Sequence, residues 1–292
     1  MMDPLLEIVG GSARIAALRE MVRRLLARQA SSGHLPPVLI LGETGVGKSL
    51  LARAIHRAGP RSAGPFVTVN CAAIPESLLE SELFGFERGA FTDARHSKPG
   101  LVKAAHGGTL LLDEVGSLPP LLQGKLLTFL EDRTIRPLGG TRSEPVDVAL
   151  MAATNVDIQA AVRSGRFRRD LYYRLAVVTL DLPPLRQRGD DILALADHLL
   201  ARASSGAGGP PRAFTPAGRA ALLAHSWPGN VRELVNVIER TIALSDVAAI
   251  GPSGLGLPAP AEPPADAPDV GDRKSTRLNS SHIQKSRMPS SA

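Results

Sequence analysis

The chain of 292 residues holds a single cysteine, Cys71, so it has no internal disulfide. Without companion ligands Cys71 is not half of a zinc site either, and it reads as a small buried residue. No run of about eighteen apolar residues offers a membrane-spanning helix. The N-terminus also lacks the basic-then-apolar layout of a signal peptide. A cytoplasmic chain with no membrane partner is the expectation. His56, His96, His106 and His225 are scattered without metal-ligand spacing, so no histidine metal site is expected.

What is present is a globular composition, 43% hydrophobic and 21% charged with mean hydropathy +0.03, enough for one large or two small domains. The net charge of +6 suggests a nucleic-acid partner until its location is considered. Arg273, Lys274, Arg277, Lys285 and Arg287 lie in the last twenty residues with no acidic residue among them, which leaves 29 basic against 28 acidic residues in 1–272. The body is near neutral. The tail 273–292 changes abruptly to a Ser/Arg/Lys run and resembles a translated sequencing adapter, so it reads as non-native; the competing reading is a disordered basic arm that grips DNA phosphates.

Periodicity organises the rest. Ile15, Leu18, Met21, Val22 and Leu25 recur at helical spacing. Val38–Leu41 reads as a buried strand, followed by a glycine-rich turn and a helix over Lys48–Ala58. Further strands are expected at Phe66–Val69, Thr109–Leu112, Val148–Ala152 and Val177–Leu180, and their alternation with helices predicts an α/β fold with a parallel sheet between helical layers. After Pro183-Pro184 the strand signals stop. Helices are expected over Asp190–Ala203, Thr215–Ala224 and Asn230–Leu244, a small helical second unit. The Pro/Ala-rich stretch that follows reads as a linker.

The turn Gly42-Glu43-Thr44-Gly45-Val46-Gly47-Lys48-Ser49 matches G-x-x-x-x-G-K-[ST]. Its glycines let backbone N–H groups turn inward to cradle phosphates at a helix N-terminus. Lys48 would reach the β- and γ-phosphates and Ser49 would hold Mg²⁺. Such a site needs a carboxylate at the end of a buried strand, and Leu110-Leu111-Leu112-Asp113-Glu114 supplies one. Asp113 would serve the metal and Glu114 would polarise an attacking water.

Between these halves lies Gly89-Ala90-Phe91-Thr92-Asp93-Ala94. Here the chain resembles the AAA+ domain of sigma-54-dependent transcription activators, whose hallmark loop reads GAFTGA. The resemblance runs from about Val9 to Leu244. It includes Val69–Ile74, Gly107-Gly108-Thr109, Ala153-Thr154-Asn155, Phe167–Leu175 and Trp227–Leu234.

The resemblance implies an AAA+ P-loop NTPase over 1–183 and a helical lid over 184–246, and composition reads 247–272 as a linker. It further implies an ATP-hydrolysing activator, with ATP and Mg²⁺ as cofactors. Its subunits would form a homo-oligomer, a hexameric ring, whose loops push on the sigma-54 RNA polymerase holoenzyme. Asn70 resembles a switch residue that pairs with Glu114, and Asn155 a sensor of the γ-phosphate. Arg168 and Arg174 resemble arginine fingers that reach a neighbour's ATP, and Arg232 resembles the sensor that ties the lid to its own nucleotide.

Three departures stand out. Asp93 replaces a loop glycine, Ser49 stands where glutamate is common, and Ala176 replaces a common asparagine. No receiver or ligand-sensing domain is expected before the AAA+ region. Specific DNA binding would need a C-terminal helix-turn-helix, for which nothing after Gly251 has the periodicity. Two other readings remain open: a related ATP-binding regulator that does not engage sigma-54, motivated by Asp93, and an AAA+ remodeller of another protein. Phe91 and Thr92 favour the activator.

Overall fold

Five short apolar segments pair into one parallel sheet: β1 (Val38–Leu41), β2 (Phe66–Asn70), β3 (Thr109–Asp113), β4 (Ala149–Thr154) and β5 (Val178–Asp181). The spatial order is β2-β3-β4-β1-β5. The computed structural model describes residues 4–32, 35–92, 94–204, 212–245 and 247–257. Near-continuous runs such as Leu110-Leu111-Leu112 follow from burial on both faces. Leu39, Leu110, Leu112 and Leu150 face one apolar cluster, while Val38, Ile40, Leu111 and Met151 face the other. Adjacent residues point to opposite sides, so both layers of helices have a surface to cover.

On one side lie Ala13–Ser32 and Lys48–Ala58, which contribute Ile15, Leu18, Val22, Leu25, Leu51 and Ile55 to the core. Met21, expected on that apolar face, is instead 49% exposed. The opposite side carries Glu76–Phe84, Pro120–Asp132 and Arg169–Leu175. Two small antiparallel ladders project from this layer. Gly85–Phe86 pairs with Lys98–Pro99, and Thr134–Ile135 pairs with Glu144–Pro145. Gly89–Thr92 and Ala94 lie between the strands of the first.

Pro183-Pro184 marks a change of core: Leu182 packs with the sheet and Leu185 with a third cluster around Trp227. That cluster joins the helices Asp191–Ser204, Pro216–Ala224 and Asn230–Leu244. Trp227 is fully buried, and its Nε1–H donates to the Leu222 carbonyl at 2.8 Å, satisfying its one polar atom. The carboxylate of Asp191 accepts hydrogen bonds from the backbone N–H groups of Gly11 and Ser12, tying the N-terminal segment to this unit.

Two sequence expectations need correction. A strand signal does not stop at Pro184: Ala213–Phe214 pairs in parallel with Ala249–Ile250. Nor does the linker begin at 247, because Ile250 and Leu255 are buried in the lid core and Pro252–Leu255 forms one helical turn. The short span hides this from periodicity, since four residues show no period. The rest of the expected linker, 258–272, and the tail 273–292 lie outside the described residues. No described helix is long and apolar enough to cross a membrane.

Candidate functional site

The glycine turn joins β1 to the helix Lys48–Ala58 at the C-terminal edge of the sheet. Gly45 and Gly47 have φ of +79° and +106°, conformations an L side chain rarely adopts. At Gly45 a Cβ would also run into the Gly229 carbonyl. Only glycine permits both the turn and the close approach of the lid.

Lys48 is 6% exposed, and its ammonium donates to the carbonyls of Gly42 at 2.9 Å and Glu43 at 3.3 Å. Its Nζ also lies 3.7 Å from Glu114 Oε1. Ser49 Oγ donates to Asp113 Oδ2 at 3.0 Å, so the hydroxyl and carboxylate proposed for Mg²⁺ converge from separate elements. One hydroxyl and one carboxylate suit Mg²⁺, which takes few protein ligands and completes its shell with phosphate and water. Register explains the placement: Asp113 ends β3 opposite Asn70 of β2 and Ala153 of β4.

Glu114 follows with φ +54°, and its Oε2 accepts a hydrogen bond from the Asn155 backbone N–H at 3.1 Å. Asn155 Nδ2 donates to Thr44 Oγ1 at 2.8 Å, which brings the end of β4 to the glycine turn. Thr44, Gly45, Gly47, Lys48, Ser49, Asn70, Asp113, Glu114 and Arg232 share a cleft of about 410 Å³. A larger cavity of about 630 Å³, lined by Phe129, Asp132 and residues 134–141, has no glycine-turn residue in its wall. The donor set, not the volume, makes the smaller cleft the candidate phosphate site. Beneath it, burial and the nearby Asp113 and Glu114 carboxylates push the Cys71 thiol up to about 12, so it stays protonated and is no nucleophile.

Several expected roles meet a different geometry. Asn70 does not hydrogen-bond Glu114 here; its Oδ1 accepts from the N–H groups of Ala72 and Ala73, closing the turn after β2. The Glu43 side chain leaves the cleft and meets Arg186 Nη1 at 2.8 Å, Arg186 Nη2 at 2.5 Å and Asn230 Nδ2 at 3.1 Å. Those bonds, Arg186 first, hold its carboxyl down at about 2. Val46 is buried with the sheet core rather than facing the cleft. Arg168 and Arg174 are exposed on Arg169–Leu175 and its N-cap and do not line the cleft, and Arg168 pairs with Asp170 at 2.8 Å. Arg232 lines the cleft, and its backbone N–H donates to the Gly45 carbonyl at 3.2 Å.

Sequence reading missed Arg186, Arg188 and Asn230. Arg188 is 4% exposed, and burial pulls its guanidinium below its ordinary value. The charge pattern Arg186-Gln187-Arg188 was its only local signal.

Gly89–Thr92 and Ala94 do not line the cleft. Gly89 N–H donates to Ala94 O at 2.8 Å and Ala94 N–H to Phe91 O at 3.0 Å, closing a tight arch. Phe91 is 45% exposed, with its ring 4.9 Å from that of Phe86. Ala90 sits beside Gly139, and Glu87 N–H donates to Leu138 O at 2.9 Å, so the 136–143 loop braces the arch. Asp93 lies outside the described residues.

A family model described as the Sigma-54 interaction domain matches residues 8–181, and one described as the AAA+ ATPase lid domain matches 186–267. The chain is 46% identical over 273 residues to the alginate biosynthesis transcriptional regulatory protein AlgB of Pseudomonas aeruginosa, covering 93% of this chain and 59% of that protein. It is 53% identical over 208 residues to the regulatory protein AtoC of Escherichia coli, covering 71% and 45%. The chain thus spans about half the length of these relatives. Among solved structures, NtrX of Brucella abortus in complex with ADP superposes with a TM-score of 0.77 at 36% identity, covering 91% of this chain and 58% of NtrX. The ATP complex of NtrX superposes with a TM-score of 0.74 at 36% identity, covering 90% and 57%. Matched by the two family models over most of its length, and carrying the turn and the lid they describe, the chain belongs to the sigma-54 interaction domain family of AAA+ proteins.

Proposed function

We propose that this chain binds and hydrolyses ATP and uses the arch at 89–94 to remodel sigma-54 RNA polymerase. The observation that carries this reading is the convergence of Lys48, Ser49, Asp113 and Glu114 at the glycine turn, with a separate exposed arch bearing Phe91 and Thr92. The γ-phosphate would sit against Lys48, whose charge offsets that of the phosphate oxygens. Mg²⁺, held through Ser49 and Asp113, would supply further charge neutralisation. Glu114, aimed by Asn155 N–H, accepts a proton from water as its oxygen bonds to the γ-phosphorus. The bond from that phosphorus to the bridging oxygen breaks, releasing ADP and phosphate.

Arg168 and Arg174, exposed away from their own cleft, suit service to a neighbour's site in a ring. The bonds of Asn70 to Ala72 and Ala73 leave a nucleotide-bound state in which it meets Glu114 as a change the cleft can make. Asp93 favours the second reading, an ATP-binding regulator that does not engage sigma-54, because a charge replaces a flexible loop residue.

A promoter-opening assay with sigma-54 polymerase and the full chain separates the two. Asp93→Gly is expected to raise open-complex formation, and Thr92→Ala to lower it, both with the ATPase rate within about twofold because the arch is remote from the phosphates. If neither variant changes promoter opening, the second reading is the better one.

A further inference from the structure

A phosphate loop works by turning its N–H groups inward, and its carbonyls must then face outward and find donors elsewhere. Here three successive carbonyls find them on the lid. Thr44 O accepts from Asn230 Nδ2 at 3.1 Å, Gly45 O from Arg232 N–H at 3.2 Å, and Val46 O from Arg188 Nη2 at 2.9 Å. Asn230 is the centre of this joint. It is fully buried, and its φ of +54° is a conformation that asparagine tolerates better than most residues.

Its amide orientation is set by its neighbours, since Leu185 N–H can only donate and therefore faces Oδ1, at 2.8 Å. The two Nδ2 hydrogens are then shared between Thr44 O and Glu43 Oε2, both at 3.1 Å. Arg186 closes the outside with a two-pronged pair to Glu43. A carboxyl held near 2 keeps that acceptor charged at any physiological pH.

We propose that Asn230 is a positioning residue through which phosphate occupancy of the 42–49 loop and the orientation of the lid control one another. The same peptide planes carry phosphate-facing N–H groups and lid-facing carbonyls. A ligand that orders one side orders the other, and the effect is reciprocal. This acts through backbone, separately from any contact of the Arg232 side chain with nucleotide. It rests on the nucleotide-site reading above.

The test uses the full chain with ADP as probe. Two quantities are read: ADP affinity by calorimetry, and ADP-induced hydrogen-exchange protection of the lid helices 191–204 and 230–244. Asn230→Asp keeps size, positive-φ tolerance and the acceptor for Leu185 N–H, but removes both donors and sets a carboxylate against Glu43. The expected result is an ADP affinity weaker by about tenfold or more, within the usual range of coupling between sites, and loss of the ADP-induced protection. The double variant Glu43→Gln/Asn230→Asp restores a donor–acceptor pair with roles exchanged, and part of both signals should return. Thr44 O stays without its donor in the double variant, so the return is partial, and a purely structural role would shift the unfolding midpoint while leaving the ADP-induced protection in place.

Should Asn230→Asp fail to fold, Arg186→Met, at an exposed position, is expected to reduce the same protection. The proposal is overturned if Asn230→Asp binds ADP within about twofold of the parent, if Glu43→Gln restores neither signal, or if Arg186→Met leaves protection unchanged. A parent chain that binds ADP no better than Lys48→Ala would overturn the nucleotide site itself, and the joint with it.

Discussion

At the scale of single residues, Glu114 and Lys48 lie within 3.7 Å of each other but carry separable tasks. In the proposed reaction Lys48 would meet the phosphates themselves, and Glu114 only the water that attacks them. Lys48→Ala should therefore abolish nucleotide binding. Glu114→Gln, which keeps the acceptor for Asn155 N–H but loses the base, should bind ATP within a few-fold of the parent and turn it over at least about 10²-fold more slowly. Nucleotide titration and phosphate release measure the two effects, and equal loss of binding in both variants would contradict the division of roles. Ser49 and Asp113 show how tightly such a pairing depends on register, since the end of β3 puts a carboxylate 3.0 Å from the hydroxyl.

At the scale of elements, the lid is larger than its three helices. The two-residue ladder Ala213–Phe214 with Ala249–Ile250 brings the turn Pro252–Leu255 onto the lid core, where Leu255 is fully buried. Arg240 Nη2 reinforces the contact by donating to Leu255 O at 3.1 Å, and the Thr241 hydroxyl shares its one hydrogen between Val237 O at 2.8 Å and Gly254 O at 3.1 Å. Leu255→Ala should cost about 2–5 kcal/mol, the usual range for emptying a buried leucine site. Leu244→Ala, only eleven residues away but 80% exposed, should change stability by no more than about 0.5 kcal/mol. Urea midpoints of the two variants test the contrast, and equal shifts would place the turn outside the cooperative unit.

At the scale of the whole molecule, the described fold splits its proposed chemistry between two faces. The cleft gathers Lys48, Asp113, Glu114 and Arg232, while Arg168 and Arg174 stand exposed on the other helical layer. Among the described residues the Arg168 side chain is held by an exposed pair to Asp170, an interaction weak enough to be exchanged for a phosphate. If these arginines serve a neighbour, an Arg168→Ala subunit retains a sound cleft and a Lys48→Ala subunit retains sound fingers. Mixing the two should restore hydrolysis above that of either alone, since a finger in trans is worth about 10³-fold or more in related phosphoryl transfer. Phosphate release across mixing ratios reads this directly, and activity that never exceeds the separate variants would return Arg168 to its own subunit.

Local pattern was enough for much of this molecule. The bounds of Val38–Leu41, Lys48–Ala58 and Asn230–Leu244 follow from apolar spacing and from glycine at the turns, and the order of strands and helices already implied a parallel sheet. The glycine turn and the Asp113-Glu114 pair were legible because each chemical task is encoded within eight residues or fewer. Other features arise only on folding, across long separations in the chain. Glu43 meets Arg186 across 143 positions and Asn230 across 187, Asn70 holds its own turn instead of Glu114, and Leu255 is core although its surroundings read as linker. Periodicity reports which face of a segment is apolar. It carries no information about which distant donor will stand opposite a given carbonyl, because that is set when the lid closes over the glycine turn and every buried polar group must find a partner.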